Sequence, residues 1–168
     1  LTKLMTIFIV YDAIKEGKIN LTDKVQATTR DQAISSISIL SNTPIVAGVE
    51  YPVHELIKMA LIYSSNVATT MLANYVNSDT DAFIDSMNAK AKEIGMMNTT
   101  FTGPSGALSR DYAGYYNPKK YSLTDPNQTT ARDLAKLSIA LLKNYPEITD
   151  ITKQNTVTVM EGTPYAQT

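Results

Sequence analysis

Lys3 is the only cation in a run that is otherwise apolar from Leu1 to Val10, broken only by small threonines. Such a run reads as a helix buried in the middle of a domain. Burial disfavours an ammonium and lowers its pKa, which is how a lysine becomes a base. A lysine at a helix end can instead extend its head to water along its apolar stem. A second group of interest is Ser64-Ser65-Asn66, which interrupts two apolar helical patterns. Serine and asparagine are favoured helix caps. Alternatively, the side chains of Ser64 and Asn66, two apart in a tight turn, point together into a cleft. The lone histidine, His54, precedes Lys58 by four residues and reads as part of a solvated helix stripe with Glu55. A Ser-His-Asp triad would have to use His54, and nothing supports one.

Composition narrows the classes. With 168 residues the chain is long enough for one domain with a real core. Apolar residues make up 43% and charged residues 18%, which excludes a disordered chain. A net charge of −1 lacks the basic footprint of a nucleic-acid binder. Without cysteine there is no disulfide framework, and one histidine argues against a zinc hydrolase. No signal peptide or membrane span is visible in the sequence. The chain opens inside an apolar helical run and ends on Tyr165-Ala166-Gln167-Thr168, so both ends read as cut from a longer protein.

Around the two polar groups the patterning predicts mostly helices. The first runs from Leu1 to about Lys15 with Gly17 closing it. Lys24 to Thr28 suits a short strand, and Arg30 to Val49 is unclear, the hydroxyl-rich stretch from Ser35 to Pro44 reading as short helix or loop. Val53 to Tyr63 is a helix with Val53, Leu56, Ile57, Ala60 and Leu61 inward. A helix follows the Ser64–Asn66 junction with Val67, Met71, Leu72, Tyr75 and Val76 in register. Asn77 to Thr80 is a turn and cap for a helix over Ala82 to Ile94 that Gly95 closes. Met96 to Phe101 is extended, and Thr102 to Gly106 is a loop of turn formers. Ala107 to Gln128 is a long polar loop with Tyr112, Tyr115, Tyr116 and Tyr121. Thr129 caps a helix from Ala131 to about Asn144, with Leu134, Leu137, Ser138, Leu141 and Leu142 inward. Asn155 to Met160 alternates as a strand would.

Leu1-Thr2-Lys3-Leu4-Met5-Thr6 resembles the tail of the S-x-x-K motif of serine penicillin-recognising enzymes. Its serine would be the residue immediately before Leu1, which this chain does not contain. Ser64-Ser65-Asn66 resembles the middle motif, about sixty residues downstream as that superfamily spaces it. Ile94 to Phe101 followed by Gly103-Pro104-Ser105-Gly106, and Thr129 to Ala135, resemble stretches of D-alanyl-D-alanine carboxypeptidases. The resemblance covers nearly the whole chain and is closest to low-molecular-mass penicillin-binding proteins of Gram-positive bacteria.

That resemblance implies an α/β (α+β) transpeptidase fold, a mostly antiparallel sheet flanked by helices, of which residues 1–168 would be the helix-rich part. K-T-G is not found and would lie beyond Thr168. The implied activity is that of a serine-type D-alanyl-D-alanine carboxypeptidase or transpeptidase working on peptidoglycan stem peptides, and also captured by β-lactams. Lys3 would take the serine's proton, Ser64 would hydrogen-bond Lys3 and relay a proton to the leaving D-alanine, and Asn66 would serve Lys3 and the substrate carbonyl. No metal or cofactor is implied. Export to the bacterial cell surface with a C-terminal membrane anchor is implied by the resemblance only. Class A β-lactamases also need a glutamate for deacylation, and Glu93, Glu147 and Glu161 have no matching context. The remaining alternative is a non-catalytic helical module binding wall peptides or a partner.

Overall fold

The computed structural model describes residues 1–168. Its centre is helix α1, Thr2–Lys15, whose residues from Met5 to Tyr11 are all buried. A helix apolar on every side must be surrounded, and α1 is packed by α3 (Val53–Ile62), α4 (Asn66–Val76), α5 (Thr80–Glu93) and α6 (Ala131–Asn144). The chain leaves α1 through a Schellman ending. Gly17 takes φ +73°, the Lys18 N–H reaches Ala13 O at 2.9 Å and the Gly17 N–H reaches Ile14 O at 3.0 Å. The same ending closes α5, where Met96 N–H reaches Ala91 O at 2.8 Å.

The only ladder is a two-stranded antiparallel one. Strand β1 (Lys24–Gln26) pairs with β2 (Glu50–Pro52), with Val25 opposite Tyr51. Both of those side chains face the core while their neighbours Lys24, Gln26 and Glu50 face solvent, the two-residue period of a half-buried strand. Helix-rich architecture with a small sheet is therefore what the chain builds.

Several local expectations are corrected. Between the strands lies a helix the periodicity did not show, α2 (Thr29–Ser35), opened by a capping box in which Thr28 and Asp31 serve each other's backbone. Seven residues are too few for a helical period to stand out. Thr130, not Thr129, caps α6 by accepting from the Asp133 N–H at 3.1 Å; Thr129 shares a hydrogen bond with Thr99 instead. On α6, Leu137 and Leu141 are buried, but Leu142 is 47% exposed, because one step of 100° turns it off the inward stripe. Asn155 to Met160 is not a strand. It follows a short helix α7 (Ile148–Thr152) and makes one isolated bridge, Val159 with Gln167. Glu55 is not on a solvated face: it is buried, and its carboxylate accepts from Met160 N–H at 3.0 Å and from Lys58 Nζ at 3.1 Å. His54 Nε2 lies 3.1 Å from the same carboxylate. Of the tyrosines in the long loop, Tyr112 and Tyr116 are buried against each other, their ring centroids 5.5 Å apart, while Tyr115 is exposed.

Candidate active site

The first turn of α1 lies against the loop Thr102–Gly106. Lys3 Nζ donates to the Ser105 carbonyl at 3.0 Å, and one turn on, Thr6 Oγ1 donates to the Pro104 carbonyl at 2.6 Å. At Gly106, φ is +99°, and a Cβ would stand 3.3 Å from Thr2 Oγ1. The approach of loop to helix therefore requires glycine there. Beneath the loop, Ser105 Oγ hydrogen-bonds the hydroxyl of Tyr112 and accepts from the Ala107 N–H at 3.2 Å. Burial pushes that tyrosine's phenol far above its ordinary range.

Burial also acts on Lys3, lowering its pKa from 10.5 to about 8. The cause is desolvation: apolar helix surrounds an ammonium whose one protein partner is a neutral carbonyl. About a tenth of the lysine is then neutral at pH 7, enough to accept a proton from a neighbouring hydroxyl.

The second half of the site is the junction between α3 and α4. Ser65 caps α4: its Oγ accepts from Ala68 N–H at 3.3 Å and from Thr43 N–H at 3.2 Å, and shares a hydrogen bond with Thr43 Oγ1. Asn66 donates twice to the Ser41 carbonyl, from its backbone N–H at 2.8 Å and from Nδ2 at 2.9 Å. The Val67 N–H reaches Asn42 Oδ1 at 2.9 Å. Ser41 to Thr43 is thereby laced onto the junction. Ser64 is left exposed at φ +54°, a costly conformation for a residue with a Cβ, and its hydroxyl makes no hydrogen bond within the chain. Such strain is tolerated where the surroundings dictate it, and here Ser65 and Asn66 on one side and Tyr63 on the other are all pinned.

Lys3, Ser64 and Asn66 thus sit on neighbouring elements, since α1 packs on α4, which Asn66 begins. They do not hydrogen-bond one another: Lys3 is held by Ser105 O and Asn66 by Ser41 O. Sequence reasoning missed these holders. The turn-forming loop at 102–106 and the hydroxyl-rich stretch at 35–44 were the available signals, and neither names a backbone carbonyl as a partner.

The helix-rich fold around a buried helix that begins at a lysine, packed on a helix that follows a serine-x-asparagine turn, is that of the penicillin-binding proteins. Solved structures agree. The chain superimposes on PBP3, a peptidoglycan synthesis regulatory factor of Streptococcus pneumoniae, with a TM-score of 0.88 at 29% identity, over 98% of this chain and 48% of that one. With ampicillin-bound penicillin-binding protein D2 of Listeria monocytogenes the TM-score is 0.73 at 26% identity, over 96% of this chain and 58% of that one. The family model for D-alanyl-D-alanine carboxypeptidase matches residues 1–168, and the chain belongs to that family. DacF, a D-alanyl-D-alanine carboxypeptidase of Bacillus subtilis, is 31% identical over 152 residues, which are 90% of this chain and 34% of DacF. The chain therefore spans about a third of that relative's length.

Proposed function

We propose that residues 1–168 form part of a serine-type D-alanyl-D-alanine carboxypeptidase or transpeptidase domain. Its substrates are peptidoglycan stem peptides ending in D-Ala-D-Ala, and it works at the outer face of a bacterial membrane or in the cell wall. The observation that carries this reading is Lys3: a half-buried lysine in the first turn of the buried helix α1, held on the Ser105 carbonyl at 3.0 Å, with desolvation lowering its pKa to about 8. In a helix continued one residue before Leu1, the position three before Lys3 would share its face.

In this reading a serine at that position attacks the carbonyl between the two D-alanines, and neutral Lys3 takes the hydroxyl proton. The tetrahedral oxyanion collapses, the C–N bond breaks, and the terminal D-alanine leaves as its amine. Ser64, whose hydroxyl is uncommitted, relays the proton from Lys3 to that nitrogen. Asn66 keeps one Nδ2 hydrogen beyond the one given to Ser41 O, and it orients the substrate's backbone carbonyl. Water, or a second peptide's amine, then attacks the acyl-serine ester. A β-lactam carbonyl undergoes the same attack, and its ring nitrogen stays tethered to the acyl group.

The carboxylates favour slow loss of that adduct over β-lactamase turnover. Glu93 is paired with Lys90 on α5, while Glu147 and Glu161 are exposed at and beyond α7. None is placed against the Lys3 turn. In the full-length protein, D-alanine release from a synthetic stem pentapeptide is expected together with a long-lived penicillin adduct. Rapid catalytic destruction of penicillin without D-alanine release would instead establish a β-lactamase. Absence of any adduct would establish a non-catalytic module.

A further inference from the structure

We propose that Asn127 is a positioning residue, whose side-chain amide staples the loop Thr102–Gly106 to the first turn of α1 and so holds the Ser105 carbonyl on Lys3. The inference rests on Lys3 acting as the base of an acyl-serine enzyme.

Asn127 is brought to the loop by its neighbour. Gln128 exchanges both backbone hydrogen bonds with Thr100, at 2.8 and 2.9 Å, and this sets the segment beside the loop's start. From there Asn127 Oδ1 accepts from the N–H groups of Thr102 at 2.6 Å and Gly103 at 3.1 Å, and it lies 3.0 Å from Thr102 Oγ1. Its Nδ2 donates to Thr2 Oγ1 at 3.0 Å and to Gly103 O at 3.2 Å. Every side-chain bond of Asn127 therefore ends on the loop or on α1. An asparagine that only shapes its own turn bonds within two or three residues of itself, as Asp125 does with Ser122 in the same segment.

The placement matters because Thr2 and Lys3 are consecutive. Loop and helix are joined at three points: Asn127 on Thr2, Ser105 O on Lys3, and Pro104 O on Thr6. Lys3 lies between the other two along the helix. As a neutral amine Lys3 keeps two N–H donors, so it stays on Ser105 O while its lone pair accepts the proton, and Asn127 and Thr6 hold the loop that carries that carbonyl. The same closure keeps water from the lysine, and desolvation is what lowers its pKa. Without Asn127 the Thr102–Gly103 end of the loop loses its tie to Thr2 and keeps only the bond from Thr102 Oγ1 to Asp125 O and the Thr100–Gln128 pair. Water enters, Lys3 regains its ordinary basicity and spends less time neutral, and the carbonyl that aims it drifts.

The test is the rate of covalent capture of a fluorescent penicillin by the full-length protein, followed from pH 6 to 10. Asn127→Ala is expected to slow capture at pH 7 by about 10- to 100-fold, the scale of a small misplacement of a reacting group. It is also expected to move the rise of rate with pH to higher pH than in the wild type. Asn127→Asp keeps an acceptor for Thr102 and Gly103 but sets a carboxylate oxygen against Gly103 O, and should behave alike. If neither variant folds, Thr2→Val removes only the hydroxyl that Asn127 grips and carries the same expectation. A purely structural asparagine would lower the melting temperature and the active fraction while leaving the pH dependence in place, and that result would overturn the proposal. Wild type that forms no adduct overturns the acyl-serine reading itself. Wild type that labels beside a folded Asn127→Ala of unchanged rate and pH dependence overturns the positioning role alone.

Discussion

Lys3→Met in the full-length protein is expected to slow covalent penicillin capture by about 10²- to 10⁴-fold, the usual contribution of a positioned proton acceptor. The substitution suits the site. Methionine matches the lysine's length, and the surroundings that desolvate the ammonium accommodate a thioether. The one bond lost is that from Nζ to the Ser105 carbonyl, while Thr6 still holds Pro104 O and Asn127 still holds Thr102 and Gly103. The fold should therefore survive, which a melting curve checks. The pH dependence gives a second readout. With its pKa lowered to about 8, Lys3 is mostly protonated below that pH and mostly neutral above it. Wild-type capture should rise through neutral pH and level off above about 8, and the Lys3→Met protein should lose that rise. Equal rates and equal pH dependence in the two proteins would remove Lys3 from the chemistry.

Glu55→Ala is expected to cost about 2–4 kcal/mol of stability. A buried hydrogen-bonded charge is lost, and the groups it served stay behind. Met160 N–H, in a buried residue with φ +55°, loses its acceptor. Lys58 loses its partner at 3.1 Å. The consequence reaches beyond α3, because the same stretch of chain is held by Tyr63, whose hydroxyl donates to Val157 O at 2.6 Å. Tyr63 directly precedes the strained Ser64. Chemical denaturation of wild type, Glu55→Ala and Glu55→Gln should rank them in falling stability as wild type, Gln, Ala, because glutamine keeps an acceptor and the side-chain volume. Amide hydrogen exchange should quicken first at Val157 to Met160. Equal stability of all three would show the Glu55 contacts to be surface ornament.

Glu55 also shows where sequence reading reaches its limit. It shares a helix face with His54 and Lys58, and charged residues at that spacing read as solvated. The buried acceptor is explained only by Met160 N–H arriving from 105 residues away. The alternating run at 156–159 failed for a related reason: alternation describes one strand, and no second strand comes alongside except at Val159 and Gln167. Helix ends were legible where a single residue type does the work, as at Gly17 and Gly95, whereas the start of α5 was placed only within Asn77 to Thr80, of which Asp79 is the cap. At Thr129 and Thr130 the two candidates are chemically identical, so only the geometry of the turn could choose. Of the candidate site residues, Lys3, Ser64 and Asn66 were marked only through the resemblance to a family, since by type alone they read equally as a helix-end lysine and a helix cap. Their holders were not marked, because Ser105 and Ser41 act through backbone carbonyls, which every residue carries. Asn127 lay unmarked in a polar loop, its role visible only once Thr2 and Gly103 were beside it.

The central claim is that Lys3 serves a nucleophile three residues before it on the same helix face. The most direct measurement is the site of the penicillin adduct, mapped by proteolysis and mass spectrometry of the full-length protein treated with a penicillin. The account predicts one acyl group, on a serine immediately preceding Leu1, and none on Ser64 or Ser65. An adduct on either of those junction serines, or a residue other than serine at the mapped position, would contradict it.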